Sequence, residues 1–212
     1  MERDIAVAFC DECDSLYHAW LTCRIVFDRL PGDAGLSDAA ALDTPVGNCI
    51  DRVHGLCLNA WIMQLMRLSD PAEQRGNRNL SIALIRESDG WTDDERVRVD
   101  QLAEELHGLA ERLGPARDKI IAHNDLRTRR ADAALGGFPE GEDEAYFHAL
   151  AELVTMVWEK WCHADAEPNL RNRVFDFDLN ALADDELSPR YQAQALRDCL
   201  SGALREYAAR GN

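Results

Sequence analysis

Two residues of this chain have the types and spacing to act on one phosphate. Arg117 and His123 are separated by five residues, with Asp118 directly after the arginine and Ile120, Ile121 and Ala122 leading into the histidine. A histidine near its ordinary pKa can take a proton from a ribose 2′-hydroxyl or return one to a leaving 5′-oxygen. An arginine fork can hold the charge that develops on the phosphate between them. Those are the parts of metal-independent RNA cleavage, and DNA lacks the attacking hydroxyl. Helical geometry adds a condition, because at 3.6 residues per turn Arg117 and His123 lie about 120° apart around one helix. One motif forms a compact site poorly, whereas two copies across a two-fold axis can bring two arginines and two histidines around one phosphate. Lys119, His123 and Arg127 follow at steps of four and share a face, a basic stripe suited to flanking phosphates.

The same residues also fit a plainer account. A histidine near a helix end can bond a carbonyl or offset the negative end of the helix dipole, and Arg117 can join Asp118 and Asp125 in a surface ion network. Asp118 suits orienting His123 or Arg117 and suits a salt bridge equally. Asn124 and Asp125 read as a helix terminator with a local Asx turn, with Asn124 also placed to touch a ligand.

Charge separates this segment from the rest. Between Arg112 and Arg130 six basic residues face two acids, a balance of +4, so the remainder must carry −20 to reach the net charge of −16. Broad nucleic-acid binding is excluded by that surface, and an anionic ligand is drawn to the one basic island. Seven cysteines, an odd number, lie singly along apolar faces. Free thiols in a reducing compartment are expected. Cys10 and Cys13 lack the further ligands a zinc site wants, and the histidines are scattered, so no metal and no cofactor is expected. The N-terminus shows no signal-peptide pattern and no stretch reaches the ~18 apolar residues of a membrane span. A cytoplasmic protein with no membrane contact follows.

The elements that must position the motif are helical. Ile5, Phe9, Cys13, Leu16, Trp20, Cys23, Phe27 and Leu30 repeat at steps of four and three, predicting one long helix closed by Pro31-Gly32. A second runs from about Pro45 to Ser69-Asp70-Pro71, with Val46, Ile50, Val53, Cys57, Trp61, Leu65 and Leu68 inward. A polar loop follows, and Asn79 can cap a short helix through about Glu87. Thr92 and Glu95 have capping-box spacing and open a third long helix with Leu102, Leu106, Leu109 and Leu113 in a row. Gly114-Pro115 marks a kink or restart, with the motif helix running from about Pro115 to Leu126. A fourth, beyond Glu142, carries Phe147, Leu150, Val154, Val157 and Trp161. Phe175, Phe177 and Leu179 alternate with aspartates, suggesting an extended segment on the bundle. Ser188-Pro189 opens a last helix with Leu196, Leu200, Ala203 and Tyr207 inward. The fold expected is all-α: an up-and-down helical bundle of about four core helices, with accessory helices and a C-terminal helical extension. Its domains are residues 1–168, the bundle, and 169–212, the extension.

Arg117-Asp118-Lys119 followed by Ala122-His123-Asn124-Asp125 resembles the HEPN superfamily, whose signature is an arginine, often with a polar residue next, then four to six residues and a histidine on a helical bundle. More narrowly it resembles the AbiU2-like branch, named for phage abortive-infection proteins. Arg67-Leu68-Ser69-Asp70 and Leu80-Ser81-Ile82 are similar to that branch's pattern upstream, although Arg67 and Asp70 also read as a structural ion pair or helix cap. The resemblance spans roughly residues 5 to 165. It implies a metal-independent endoribonuclease, in phage defence or a toxin–antitoxin system, that leaves a 2′,3′-cyclic phosphate and a 5′-hydroxyl. It further implies a homodimer with the site at the interface, Arg117, His123 and Asp118 in catalysis, and Lys119, Asn124 and Arg127 against the RNA substrate. An antitoxin or regulatory protein is a further partner the resemblance allows. The alternative is a noncatalytic HEPN-like module that binds a nucleotide, an RNA or a protein.

Overall fold

The computed structural model describes residues 1–27, 30–33, 35, 37, 40, 44–116, 139–163, 175, 177 and 189–210. Its helices are α1 (Arg3–Leu21), continued by a π-helical turn π1 (Thr22–Phe27), then α2 (Leu30–Asp33), α3 (Pro45–Leu68), α4 (Ile82–Glu87), α5 (Asp93–Ala116), α6 (Glu142–Trp161) and α7 (Pro189–Arg210). A two-strand hairpin, β1 (Glu73–Gln74) and β2 (Asn77–Arg78), is the sheet among the described residues, so the fold is all-α. The chain folds as two compact units: Met1–Tyr17 with Ile62–Asp178, and His18–Trp61 with Leu179–Asn212.

The first unit holds the larger core. On α5, Val99, Leu102, Leu106, Leu109 and Leu113 are buried, and on α6 Phe147, Leu150, Val154 and Val157 are wholly so. Each set follows the helical repeat, and burying a side chain of this size contributes about 1.5–3 kcal/mol. Three ion pairs set the register of α5 against α6: Lys160 Nζ to Glu95 Oε2 at 2.7 Å, Arg98 with Glu152, and Arg112 Nε to Glu142 Oε1 at 2.9 Å. Residue numbers rise on one helix as they fall on the other, so the two run antiparallel. Phe9, Cys10, Cys13 and Leu16 of α1 are wholly buried. Phe175 and Phe177 are both buried, as their alternation with aspartates suggests: Phe177 stacks on Tyr17 with centroids 4.6 Å apart, and Phe175 meets Trp158 edge-on at 5.8 Å.

Local chemistry explains the connections. The Thr92–Glu95 capping box forms as expected, the Thr92 N–H donating to Glu95 Oε2 at 2.7 Å and the Glu95 N–H to Thr92 Oγ1 at 3.4 Å. The cap of α4 is Ser81 rather than Asn79: its hydroxyl accepts from the Leu84 N–H at 3.4 Å. Asn79 is committed instead to the hairpin, where its Nδ2 donates to the Pro71 carbonyl at 2.7 Å. Residues 72–78, expected as a loop, pair across a tight turn in which Arg75 (φ 54°) and Gly76 (φ 79°) are both left-handed, the arrangement of a type I′ hairpin. The helix also runs through Gly114-Pro115 to Ala116, so no restart falls at the proline. Buried Leu109, Ala110 and Leu113 and the Arg112–Glu142 pair hold that last turn, so the hydrogen bond proline forfeits does not end it.

In the second unit the first helix departs from expectation after Leu21. The apolar stripe continues through Cys23, Val26, Phe27 and Leu30, all buried, but the backbone widens into π1. Thr22 Oγ1 donates to the His18 carbonyl at 2.9 Å, a competitor for the ordinary backbone acceptor, and Arg197 Nη1 from α7 donates to the Ile25 carbonyl at 2.9 Å. Val26, Phe27 and Ala193 form one small cluster, flanked by Ile50, Cys57 and Leu200, and Leu30 with Leu204 forms another. The inward face of α7 is therefore Ala193, Leu200 and Leu204: Leu200 faces inward as expected, whereas Ala203 is exposed and Leu196 and Tyr207 are 46% and 39% exposed. Val53 of α3, also expected inward, is 44% exposed.

Candidate functional site

Arg117, Asp118, Lys119, His123, Asn124 and Arg127 lie outside the described residues. What is described is the frame on either side. Ala116 ends α5 and Pro139 precedes α6, and both belong to the end of the antiparallel pair that Arg112 and Glu142 join. The first turn of α6 is acidic, with Glu142, Asp143 and Glu144 placed to complement the positive end of that helix's dipole. Gly141 opens it with φ 84° and no side-chain cap. Asp143 is 2% exposed, and Glu142 Oε2 is buried with no hydrogen-bond partner among the described residues. A carboxylate this deeply buried is costly unless a cation or donor compensates it. The described residues flanking the motif segment are thus an acidic helix start and Arg112, which pairs with it.

Three of the upstream residues that carried the resemblance, Ser69, Asp70 and Ile82, are brought together. Ser69, Asp70 and Pro71 after α3, Ile82, Ala83 and Arg86 of α4, and Ala103, Glu104 and His107 of α5 line one cleft of about 370 Å³. Ser69 Oγ donates to the Leu65 carbonyl at 3.0 Å, closing α3, while Arg67 is exposed. Ser81, wholly buried, caps α4. Arg86 is the cation of this cleft, and the sequence alone does not single it out. Its Nε donates to Asp100 Oδ1 at 2.7 Å and its Nη1 to Glu104 Oε1 at 3.0 Å, and the hydrogen bond to Asp100 chiefly raises its pKa. The one signal along the chain is an Asp100-to-Glu104 step of four on one face of α5, which is common on solvated helices and names no partner. Because both carboxylates already hold the guanidinium, Arg86 braces α4 on α5 and is poorly placed to take an anion.

Four of the seven cysteines, Cys10, Cys13, Cys23 and Cys162, are buried thiols. Cys10 and Cys13 are wholly buried, Cys10 Sγ lies 4.0 Å from the Val154 carbonyl it donates to, and burial pushes the Cys13 thiol well up. Among the described residues no group of three or more His, Cys, Asp and Glu side chains is arranged to hold a metal ion, and no helix is long and apolar enough to cross a membrane.

Antiparallel long helices, a short α4 braced across α5 and an Arg–His motif in the segment between α5 and α6 define an all-α bundle of HEPN type. Residues 7–191 match the AbiU2 family of HEPN domains, and the chain belongs to that family. No curated protein and no solved structure matches.

Proposed function

We propose that the protein is a metal-independent endoribonuclease acting in phage defence or as the toxin of a toxin–antitoxin pair. Membership of the AbiU2 family of HEPN domains carries this reading, because the matched span, residues 7–191, contains the Arg117-Asp118…His123 motif. In this reading His123 removes the proton from the 2′-hydroxyl and returns one to the leaving 5′-oxygen, and Arg117 holds the phosphate as charge develops on it. Asp118 orients one of the two, and Lys119, Asn124 and Arg127 hold flanking nucleotides. The site is completed by a second copy of the chain, since an α-helix turns two residues six positions apart about 120° away from one another. The protein acts in the cytoplasm.

The test is cleavage of RNA in EDTA by the purified full chain. Wild type is expected to release 2′,3′-cyclic phosphate ends, and His123→Ala and Arg117→Ala to lose about 10²–10⁴-fold in rate, the span of one general acid–base or oxyanion contribution. Equal rates in wild type and both variants would overturn the assignment. A monomer of full activity would overturn the shared site alone. The net charge of −16 favours a second reading, a noncatalytic module whose single basic island holds an RNA or an acidic protein. It predicts binding without product, lost on charge reversal at Arg127, Arg129 or Arg130.

A further inference from the structure

The second unit places two cysteines opposite one another. Leu30 of α2 belongs to a cluster flanked by Val46 and Ile50 of α3. Closer to π1, the ring of Phe27 stacks on that of His54 with centroids 4.7 Å apart and planes 17° apart. Cys57, one turn beyond His54, packs on the cluster that contains Val26 and Phe27. As numbers fall from 30 to 27, their partners on α3 rise from 46 and 50 to 54 and 57, so the two segments run antiparallel. Cys23 is one turn before Phe27 on the same stripe, which puts it at the height of Cys57. The two thiols are close enough to interact electrostatically: burial pushes the Cys23 thiol up to about 12, and Cys57 adds to the rise. Both are free cysteines, Cys23 buried and Cys57 partly exposed.

We propose that Cys23 and Cys57 are a peroxide-sensitive thiol pair that closes into a disulfide between π1 and α3. Cys57, the more accessible sulfur, is oxidised first: hydrogen peroxide transfers one oxygen to it, giving a sulfenic acid and one water. The Cys23 sulfur then attacks the Cys57 sulfur, the S–O bond breaks, and the leaving hydroxide takes the Cys23 proton as a second water. Two thiols lose two electrons and one peroxide gains them. Cys23 is shielded from peroxide and so is a poor first target; it serves only as the resolving sulfur, and its raised pKa makes that second step the slow one. The bond would clamp the π-helical turn to α3 inside a unit that has little core of its own.

The experiment treats the full chain, dilute and reduced, with hydrogen peroxide, then alkylates remaining thiols under denaturing conditions and maps peptides by mass spectrometry. The expected product is monomeric, lighter by two hydrogens, alkylated at five of its seven cysteines, and linked between the Cys23 and Cys57 peptides. Dithiothreitol reverses it, and the oxidised chain melts at a higher temperature. Cys57→Ser and, independently, Cys23→Ala abolish the link, so misfolding of one variant leaves the other to decide. Cys49→Ser with Cys199→Ser, which removes the two exposed thiols, leaves it intact. Crosslinking only through Cys49 or Cys199, overoxidation of Cys57 with Cys23 still alkylated, or no loss of free thiol would each overturn the proposal.

Discussion

The two units differ in how completely their helices are covered. In the first, α5 and α6 each bury a full stripe, and among the twelve largest fully buried side chains nine belong to this unit. In the second, the described residues include six of the seven exposed large hydrophobics: Val53, Leu56, Leu58, Tyr191, Leu196 and Tyr207. Its two clusters are small, and one of its helices turns π-helical where a threonine hydroxyl and an arginine compete for backbone carbonyls. The first unit is therefore the more fully packed scaffold on either side of the motif segment in sequence, with ion pairs at three heights along α5 and α6. Those pairs are partly exposed and worth little each, so they set register while apolar burial supplies stability.

The contrast breaks or holds at defined positions. Leu106→Ala, at a wholly buried site of α5, is expected to cost about 2–5 kcal/mol in chemical denaturation, the range for cavities left by leucine. A cost under about 1 kcal/mol would mean that this core is not tightly packed. Ser81→Ala removes the α4 cap and is expected to cost about 0.5–2 kcal/mol, with Ser81→Gly losing only a few tenths from the cap itself. An unchanged midpoint would place the cleft residues on a helix held by packing alone.

Acid offers a graded test of the α5–α6 register. Glu95 is lowered from 4.5 to about 2, chiefly by its hydrogen bond from Lys160 and then by the Thr92 N–H. A depressed carboxyl stabilises the fold above its unfolded pKa and loses that contribution as pH falls from 4.5 toward 2. The melting temperature should therefore decline over that window, and Glu95→Gln should flatten the decline without changing its direction; an identical slope in the variant would remove this pair from the register. The smallest effect is expected in the second unit. Leu196→Ala, exposed on α7, should stay within about 0.5 kcal/mol of wild type, and a loss comparable to that of Leu106→Ala would show that the face is covered in solution.

Much of the scaffold is legible along the chain because its signals are local. The α5 and α6 stripes, the Thr92–Glu95 box, the stop at Ser69-Asp70-Pro71 and the opening of the last helix at Pro189 each depend on residues within a few turns of one another. The Arg117–His123 motif is contiguous in the same sense, so the family is legible without coordinates. The cleft is partly legible: Ser69, Asp70 and Ile82 stand out, whereas Arg86 does not, because its meaning comes from Asp100 and Glu104 on another helix.

Patterns that several packings satisfy wait on the fold. Leucines at 196, 200 and 204 allow α7 more than one inward face, and contact with π1 and α2 selects the one carrying Ala193, Leu200 and Leu204. The stripe from Ile5 to Leu30 reads as one helix by spacing alone, yet its backbone turns π-helical over Thr22–Phe27, where Thr22 Oγ1 and Arg197 Nη1 each donate to a backbone carbonyl. Cys23 and Cys57 are thirty-four positions apart and unremarkable among seven cysteines, and they become a pair only through the antiparallel register set by Phe27 and His54. Periodicity and capping are properties of neighbours along the chain and are written there; which face turns inward, and which side chains meet, is a property of neighbours in space.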